Sequence, residues 1–137
     1  MVIINEWLPN PVGKDSGGEF VEIFNSGKEP VNLSGWSLKA NSKTKFVLSG
    51  EISQSGFRVF KKPALKIALN NVDGQVFLYD SNGKLVDHQE FLGLAQEGKS
   101  YSRTLQDFSP KKISEGSLMG ESKNLGGQGV SFDNFVF

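Results

Sequence analysis

The 137 residues carry fifteen basic and fifteen acidic side chains, so the formal charge cancels at pH 7, and they include no cysteine. Neutrality removes the electrostatic drive toward nucleic acid or anionic membrane that a basic protein has, and the absence of thiols excludes disulfides, thiolate nucleophiles and cysteine zinc sites. A chain of this length suffices for one domain that buries about two thirds of the surface its unfolded form exposes.

No run approaches the roughly 20 apolar residues of a spanning helix, so no membrane span is expected. Met1 to Leu8 has neither the basic start nor the apolar core of a signal peptide. A secreted parent protein would be represented here by a mature or excised piece.

Taken in chain order, period-two patterns predict strands over Ile3–Trp7, Glu19–Asn25, Trp36–Ala40, Thr44–Leu48, Phe57–Phe60, Leu65–Leu69, Gln75–Asp80, Lys84–Phe91 and Lys99–Thr104. Between them stand Asn-Ser-Gly at Asn25, Leu-Ser-Gly at Leu33 and Leu48, Val-Asp-Gly at Val72 and Ser-Asn-Gly at Ser81, residues that accept positive φ or cap a turn. No stretch has helical spacing. The pair Asn82-Gly83 between two alternating runs predicts a hairpin closed by a type I′ turn. Short strands at this spacing imply two antiparallel sheets packed face to face, an all-β, immunoglobulin-like β-sandwich. Its inward set is read as Trp7, Phe20 or Val21, Trp36, Leu38, Phe46, Val59, Leu69, Val76, Leu78 and Val86.

The character changes after Leu105, and the domain is read as residues 1–106. Residues 107–129 are rich in Ser, Gly and Lys and read as an extended or mobile segment. Residues 130–137, VSFDNFVF, turn apolar again. They read as a further strand of the sandwich or as the remnant of an excised linker, because a segment this apolar is not left in water.

Five stretches carry a resemblance: IINEWLPNP (Ile3 to Pro11), EFVEIFNSG (Glu19 to Gly27), VNLSGWSLK (Val31 to Lys39), GQVFLYDSNGKLVD (Gly74 to Asp87) and SYSR (Ser100 to Arg103). Their order and spacing are similar to those of the lamin tail domain, the immunoglobulin-like tail of nuclear lamins, and the Asn-Pro loop and EFVEI run resemble its bacterial relatives more than the animal lamins. Relatives often close with Thr-Pro-Gly after the arginine, where this chain has Ser109-Pro110-Lys111. The resemblance implies a non-catalytic module without a cofactor, found in bacteria beside secreted or surface hydrolases and nucleases and in lamins as a platform for chromatin and envelope proteins. No catalytic residue is carried over.

Glu19 and Glu22 interrupt an apolar run, three residues apart on one strand, and therefore face opposite ways. They cannot address one substrate as a glycosidase acid pair does. Glu22 matches the second acid of the EFVE motif and, between Phe20 and Phe24, is read as one half of a structural ion pair with Arg103 or Arg58. Asn10, Asp15, Ser16 and Glu19 offer oxygens in one glycine-bearing loop, a weak calcium candidate that lacks the dense alternating acids of an EF-hand. His88 has no Ser or Cys elbow to serve in a triad. Trp36, in the LSGW motif, matches a core position of the resembled family, whereas Trp7, beside Leu8-Pro9, is placed in the inward set with exposure as the alternative.

The segment Lys39 to Lys66 holds Lys39, Lys43, Lys45, Arg58, Lys61, Lys62 and Lys66 against the single acid Glu51. Lysines of this kind solvate and blunt sheet edges, and as a site Lys43, Lys45, Arg58, Lys61 and Lys62 would make a weak nucleic-acid patch. Three classes of function follow in order. First is an accessory binding or tethering module of a larger bacterial protein, extracellular or in the cell envelope, with a protein or cell-surface partner. Second is a nucleic-acid-binding module, and third a hydrolase, for which no convergent constellation stands in the sequence. The oligomeric state is not set by the sequence.

Overall fold

The computed structural model describes residues 1–13, 18–103 and, as a strand, 123–124. Eleven strands are present among them: β1 (Val2–Leu8), β2 (Phe20–Asn25), β3 (Val31–Asn32), β4 (Ser37–Lys39), β5 (Lys45–Val47), β6 (Glu51–Ile52), β7 (Phe57–Lys61), β8 (Gln75–Tyr79), β9 (Leu85–Glu90), β10 (Lys99–Ser102) and β11 (Lys123–Asn124). A five-stranded sheet runs β11-β10-β1-β2-β7, a four-stranded one β5-β4-β8-β9, and β3 pairs with β6 alone. Every pairing is antiparallel. This is the expected all-β, immunoglobulin-like sandwich.

Alternation decides which side chains meet between the sheets. Register sets Trp7 opposite Val21 and Ile4 opposite Ile23, and both pairs, with Phe60 of β7, point at Leu38, Val76 and Leu78 of the four-stranded sheet. Trp7 is fully buried there, its ring 5.4 Å from Phe91 and 5.8 Å from Tyr101. Trp36 only lies against the edge of this cluster, half-buried. The large aromatic at the centre of the core is therefore the one on the central strand β1, which both neighbouring strands and the facing sheet enclose.

Four expectations are corrected. Leu65–Leu69 joins no ladder, yet Leu65, Ile67 and Leu69 turn inward while Lys66 and Ala68 face water. The segment is extended and period-two, and the backbone N–H of Leu69 is met by the Glu19 carboxylate at 2.8 Å instead of by a strand. Val59 stands opposite Glu22, on the outer face of its sheet, and Phe60 takes the inward place. Phe46 and Val86 are half-buried at the cluster's margin.

The hairpin forms at Asn82-Gly83, but Gly83 alone has positive φ, 80°. Asp80 explains the difference: its Oδ1 accepts the N–H groups of Asn82 (2.9 Å) and Lys84 (3.0 Å), and its carbonyl accepts that of Gly83 (3.0 Å). This is the three-residue loop closed by a left-handed glycine rather than a type I′ turn. The short strands β3 and β6 were not anticipated. Residues 104–122 and 125–137 lie outside the described residues, as do Asp15 and Ser16. Within the segment read as extended or mobile, Lys123–Asn124 pairs with β10, Ser100 opposite Lys123 and Lys99 opposite Asn124.

Candidate functional site

The carboxylates of the opening strands are enclosed in the scaffold. Glu19 is buried, accepting the Leu69 N–H and lying 3.5 Å from Lys62 Nζ. Glu22 is buried on the opposite face, where Asn5 Nδ2 donates to its Oε1. Directly across the ladder from it stands Glu6, also buried, whose Oε2 accepts the Ser100 hydroxyl at 2.6 Å. Sequence reasoning missed Glu6. Its signal was there in NEWL, a carboxylate one residue before a core tryptophan, and a bulge between Ile4 and Glu6 sets it on the same face as Glu22.

Arg103 pairs with Asp87, Nη2 to Oδ2 at 2.7 Å, and both are buried. The same Oδ2 accepts the Ile4 N–H at 2.7 Å, while Arg103 Nε donates to the Ile4 carbonyl at 3.0 Å. The pair thus completes the backbone hydrogen bonding of β1 where β10 has ended. Burial pushes the Asp87 carboxyl above its ordinary value, and the neighbouring Arg103 guanidinium, which pulls the other way, does not cancel it. Asp87 could have been found from the hairpin: opposite Leu78, it sits on the inward face of β9 with Gln89.

Of the five basic candidates, the structure gathers no single patch. Lys43 is exposed in the loop between β4 and β5, and Lys45 lies on the outer face of the four-stranded sheet with Nζ 4.9 Å from the Tyr79 ring. Arg58 and Lys61 belong to β7 in the other sheet. Arg58 Nη1 donates to the carbonyls of Glu51 (3.1 Å) and Ser49 (3.4 Å), its guanidinium 5.2 Å from the Phe60 ring, and Lys62 is held by Glu19. Beside Lys45, the outer face carries Lys39 Nζ 5.0 Å from the Phe77 ring, which stacks on His88 at 4.5 Å.

Asn10 uses its amide to donate to the Ala95 carbonyl at 3.0 Å. Glu19 is committed as above, and Asp15 and Ser16 lie outside the described residues. Among the described residues no group of three or more His, Asp or Glu could hold a metal ion. Nor is any helix there long and apolar enough to cross a membrane.

One surface carries apolar side chains that folding leaves in water. Beyond the β8–β9 ladder the chain narrows at Gly74, where a Cβ would come 2.4 Å from the Phe91 ring, and then pairs again at Val72 and Leu94. Asp73, at φ 47°, donates its N–H to the Gly93 carbonyl (2.9 Å) and accepts the Gly93 N–H on Oδ1 (2.7 Å), while the Ala95 N–H meets the Asn71 carbonyl (2.7 Å). This ordered lip presents Leu92 at 81%, Leu94 at 71% and Val72 at 52% exposure. Val12 is exposed on the neighbouring loop, tied in through Gly13 N–H to Glu97. From Ile67 to Asn82 the charged residues are Asp73 and Asp80, and from Phe91 to Gly98 the one is Glu97. The lip is apolar, and no spacing rule in the sequence marked it.

Two antiparallel sheets closed over one core define an immunoglobulin-like domain of the kind that typically serves as a binding module. The Lamin Tail Domain family matches residues 1–91, and the chain belongs to that family of non-catalytic immunoglobulin-like domains. No curated protein matches the chain.

Proposed function

We propose that the chain is an accessory binding and tethering module of a larger bacterial protein of the extracellular space or cell envelope, and that it holds a protein partner by the lip at Val72, Leu92 and Leu94. The observation that carries this reading is the exposure of two leucines on a backbone fixed by its own hydrogen bonds. Contiguous apolar groups rimmed by polar ones mark interaction surfaces, and a preordered lip loses little entropy on binding. The exposed leucines favour a partner with an apolar pocket.

The test is retention of envelope proteins on the immobilised chain against a Leu92→Ser, Leu94→Ser variant. A partner held by the native chain and released by the variant, with both melting at the same temperature, supports the reading. Identical retention on the two would end it. Nucleic-acid binding is the competing reading, supported by Lys39 and Lys45 beside Phe77 and Tyr79 on the four-stranded sheet; a hydrolase or nuclease beside this domain in the parent chain would fit the first reading.

A further inference from the structure

Strand β5 is an edge of the four-stranded sheet, paired with β4 and with no other strand among the described residues. Its register decides where its backbone points. The Leu48 N–H donates to the Trp36 carbonyl at 2.7 Å, and these two residues continue by one step the register that sets Ser37 opposite Val47, so theirs is a hydrogen-bonded pair. Alternation makes Leu38 with Phe46 the next such pair, and leaves Ser37 with Val47 and Lys39 with Lys45 as the pairs that do not bond. The N–H and C=O groups of Lys45 and Val47 consequently point away from β4. Lys43, Thr44 and Lys45 are exposed and Val47 is 65% exposed, so this edge stands in water.

The charges beside it are of one sign. Lys39 and Lys45 face each other in a non-hydrogen-bonded pair, the arrangement that brings side chains closest, and like charges so placed repel. Among the described residues neither ammonium meets a carboxylate. Both lie over rings instead, Lys39 Nζ 5.0 Å from Phe77 and 6.0 Å from Tyr79, and Lys45 Nζ 4.9 Å from Tyr79. From Trp36 to Gly50 the charged residues are Lys39, Lys43 and Lys45. The acid on this outer face, Glu90, belongs to β9 at the opposite edge, 3.3 Å from His88.

We propose that β5 accepts an added strand from a protein partner, an extended acidic segment running antiparallel to it. An extended chain carries donors and acceptors that alternate as those of the edge do, whereas a phosphate accepts from N–H groups and offers nothing to the two carbonyls. Two residues of the added strand exchange hydrogen bonds with Val47 and Lys45. The side chain opposite Val47 is apolar, and the one opposite Lys45 is Asp or Glu, which relieves the repulsion from Lys39. The residue between them turns to the inner side, where Phe46 is half-buried with its ring 5.9 Å from that of Phe60, and is apolar as well. Along the partner the pattern is apolar, apolar, acidic. A second copy of β5 is a poor occupant, because it would bring Lys39, Lys43 and Lys45 of both copies onto one joint. The edge is separate from the lip at Val72, Leu92 and Leu94, and neither surface depends on the other.

The probe is the capped peptide Thr-Val-Phe-Glu-Thr-Glu-Thr, titrated into the isotopically labelled whole chain and followed by NMR. Saturable shifts and slowed solvent exchange are expected at the Lys45 and Val47 amides. Methylating the backbone nitrogen of the peptide's valine, which removes one hydrogen bond to the edge, should weaken binding about tenfold. Lys45→Glu, at unchanged melting temperature, should lose this peptide and bind the one whose first glutamate is replaced by lysine. Leu92→Ser, Leu94→Ser should bind the original peptide like the native chain, which keeps a failure of this edge distinct from a failure of the lip. Shifts confined to other residues, indifference to the methyl group, or undiminished binding by Lys45→Glu would overturn the proposal. So would a single-stranded oligonucleotide that moves the same amides and displaces the peptide, since the face would then be a nucleic-acid site. Protection of the two amides in peptide-free chain that vanishes on dilution overturns it in favour of a second copy.

Discussion

Asp87 and Arg103 stand where a strand would otherwise be, and the edge of β1 at Ile4 depends on both. Removing one partner of a buried ion pair leaves the other charge without compensation, at a cost of about 3–5 kcal/mol. Asp87→Asn is therefore expected to lower stability by about 3 kcal/mol or more at neutral pH, read by chemical denaturation. The pH dependence follows from the raised carboxyl. Between the ordinary aspartate value and the raised one, the folded chain holds a proton that the unfolded chain has released. The folded state binds more protons in that window, so this group's contribution falls as pH rises and returns as pH falls. Native protein should gain on Asp87→Asn as acid is added down to about pH 4. A gap that stays constant or narrows would show that the guanidinium, not burial, governs the carboxyl. The arginine was legible in SYSR, and Asp87 becomes legible beside it once the register of β9 against β8, set by the hairpin, turns it inward. Likewise a tryptophan can be seen as apolar in any motif, but that Trp7 rather than Trp36 fills the centre depends on which strand lies mid-sheet.

Elements were legible where alternation and turn chemistry agreed. Strands β1, β2, β8, β9 and β10 fall within about two residues of their period-two patterns, because each has a partner on one or both sides. Leu65–Leu69 shows what the pattern omits: alternation specifies which side chains face the core, whereas a ladder also needs a neighbouring edge. The β8–β9 hairpin shows the same for turns, since Asn-Gly marks the reversal but Asp80 selects its type. Gly83 has φ 80°, and a Cβ there would meet nothing within 4 Å. Any penalty of substitution is consequently conformational. Gly83→Ala should cost about 1–2 kcal/mol, and Gly83→Asn clearly less, because asparagine tolerates the left-handed region. Equal midpoints for the two variants would show that the loop relaxes and that glycine is not what fixes the register of β9.

At the scale of the whole molecule, charge is balanced in total and dispersed in space. Lys39 and Lys45 flank aromatic rings on one sheet, Arg58 and Lys61 lie on the other, and Lys62 is engaged by Glu19. Clustering along the sequence from Lys39 to Lys66 became separation in space because the chain crosses from the four-stranded to the five-stranded sheet between β5 and β7. Affinity for nucleic acid grows with the number of phosphates met at once, since each contact releases counterions. Two lysines on one face meet few. Binding of labelled single-stranded or duplex DNA is therefore expected to be independent of sequence, weaker than about 10⁻⁴ M at physiological salt, and to have a shallow salt slope set by about two phosphate contacts. Titration at low and moderate salt checks this. A dissociation constant tighter than about 10⁻⁶ M that survives moderate salt, and is lost in a Lys39→Glu, Lys45→Glu variant of unchanged melting temperature, would move the binding function from the apolar lip to the outer face of the four-stranded sheet.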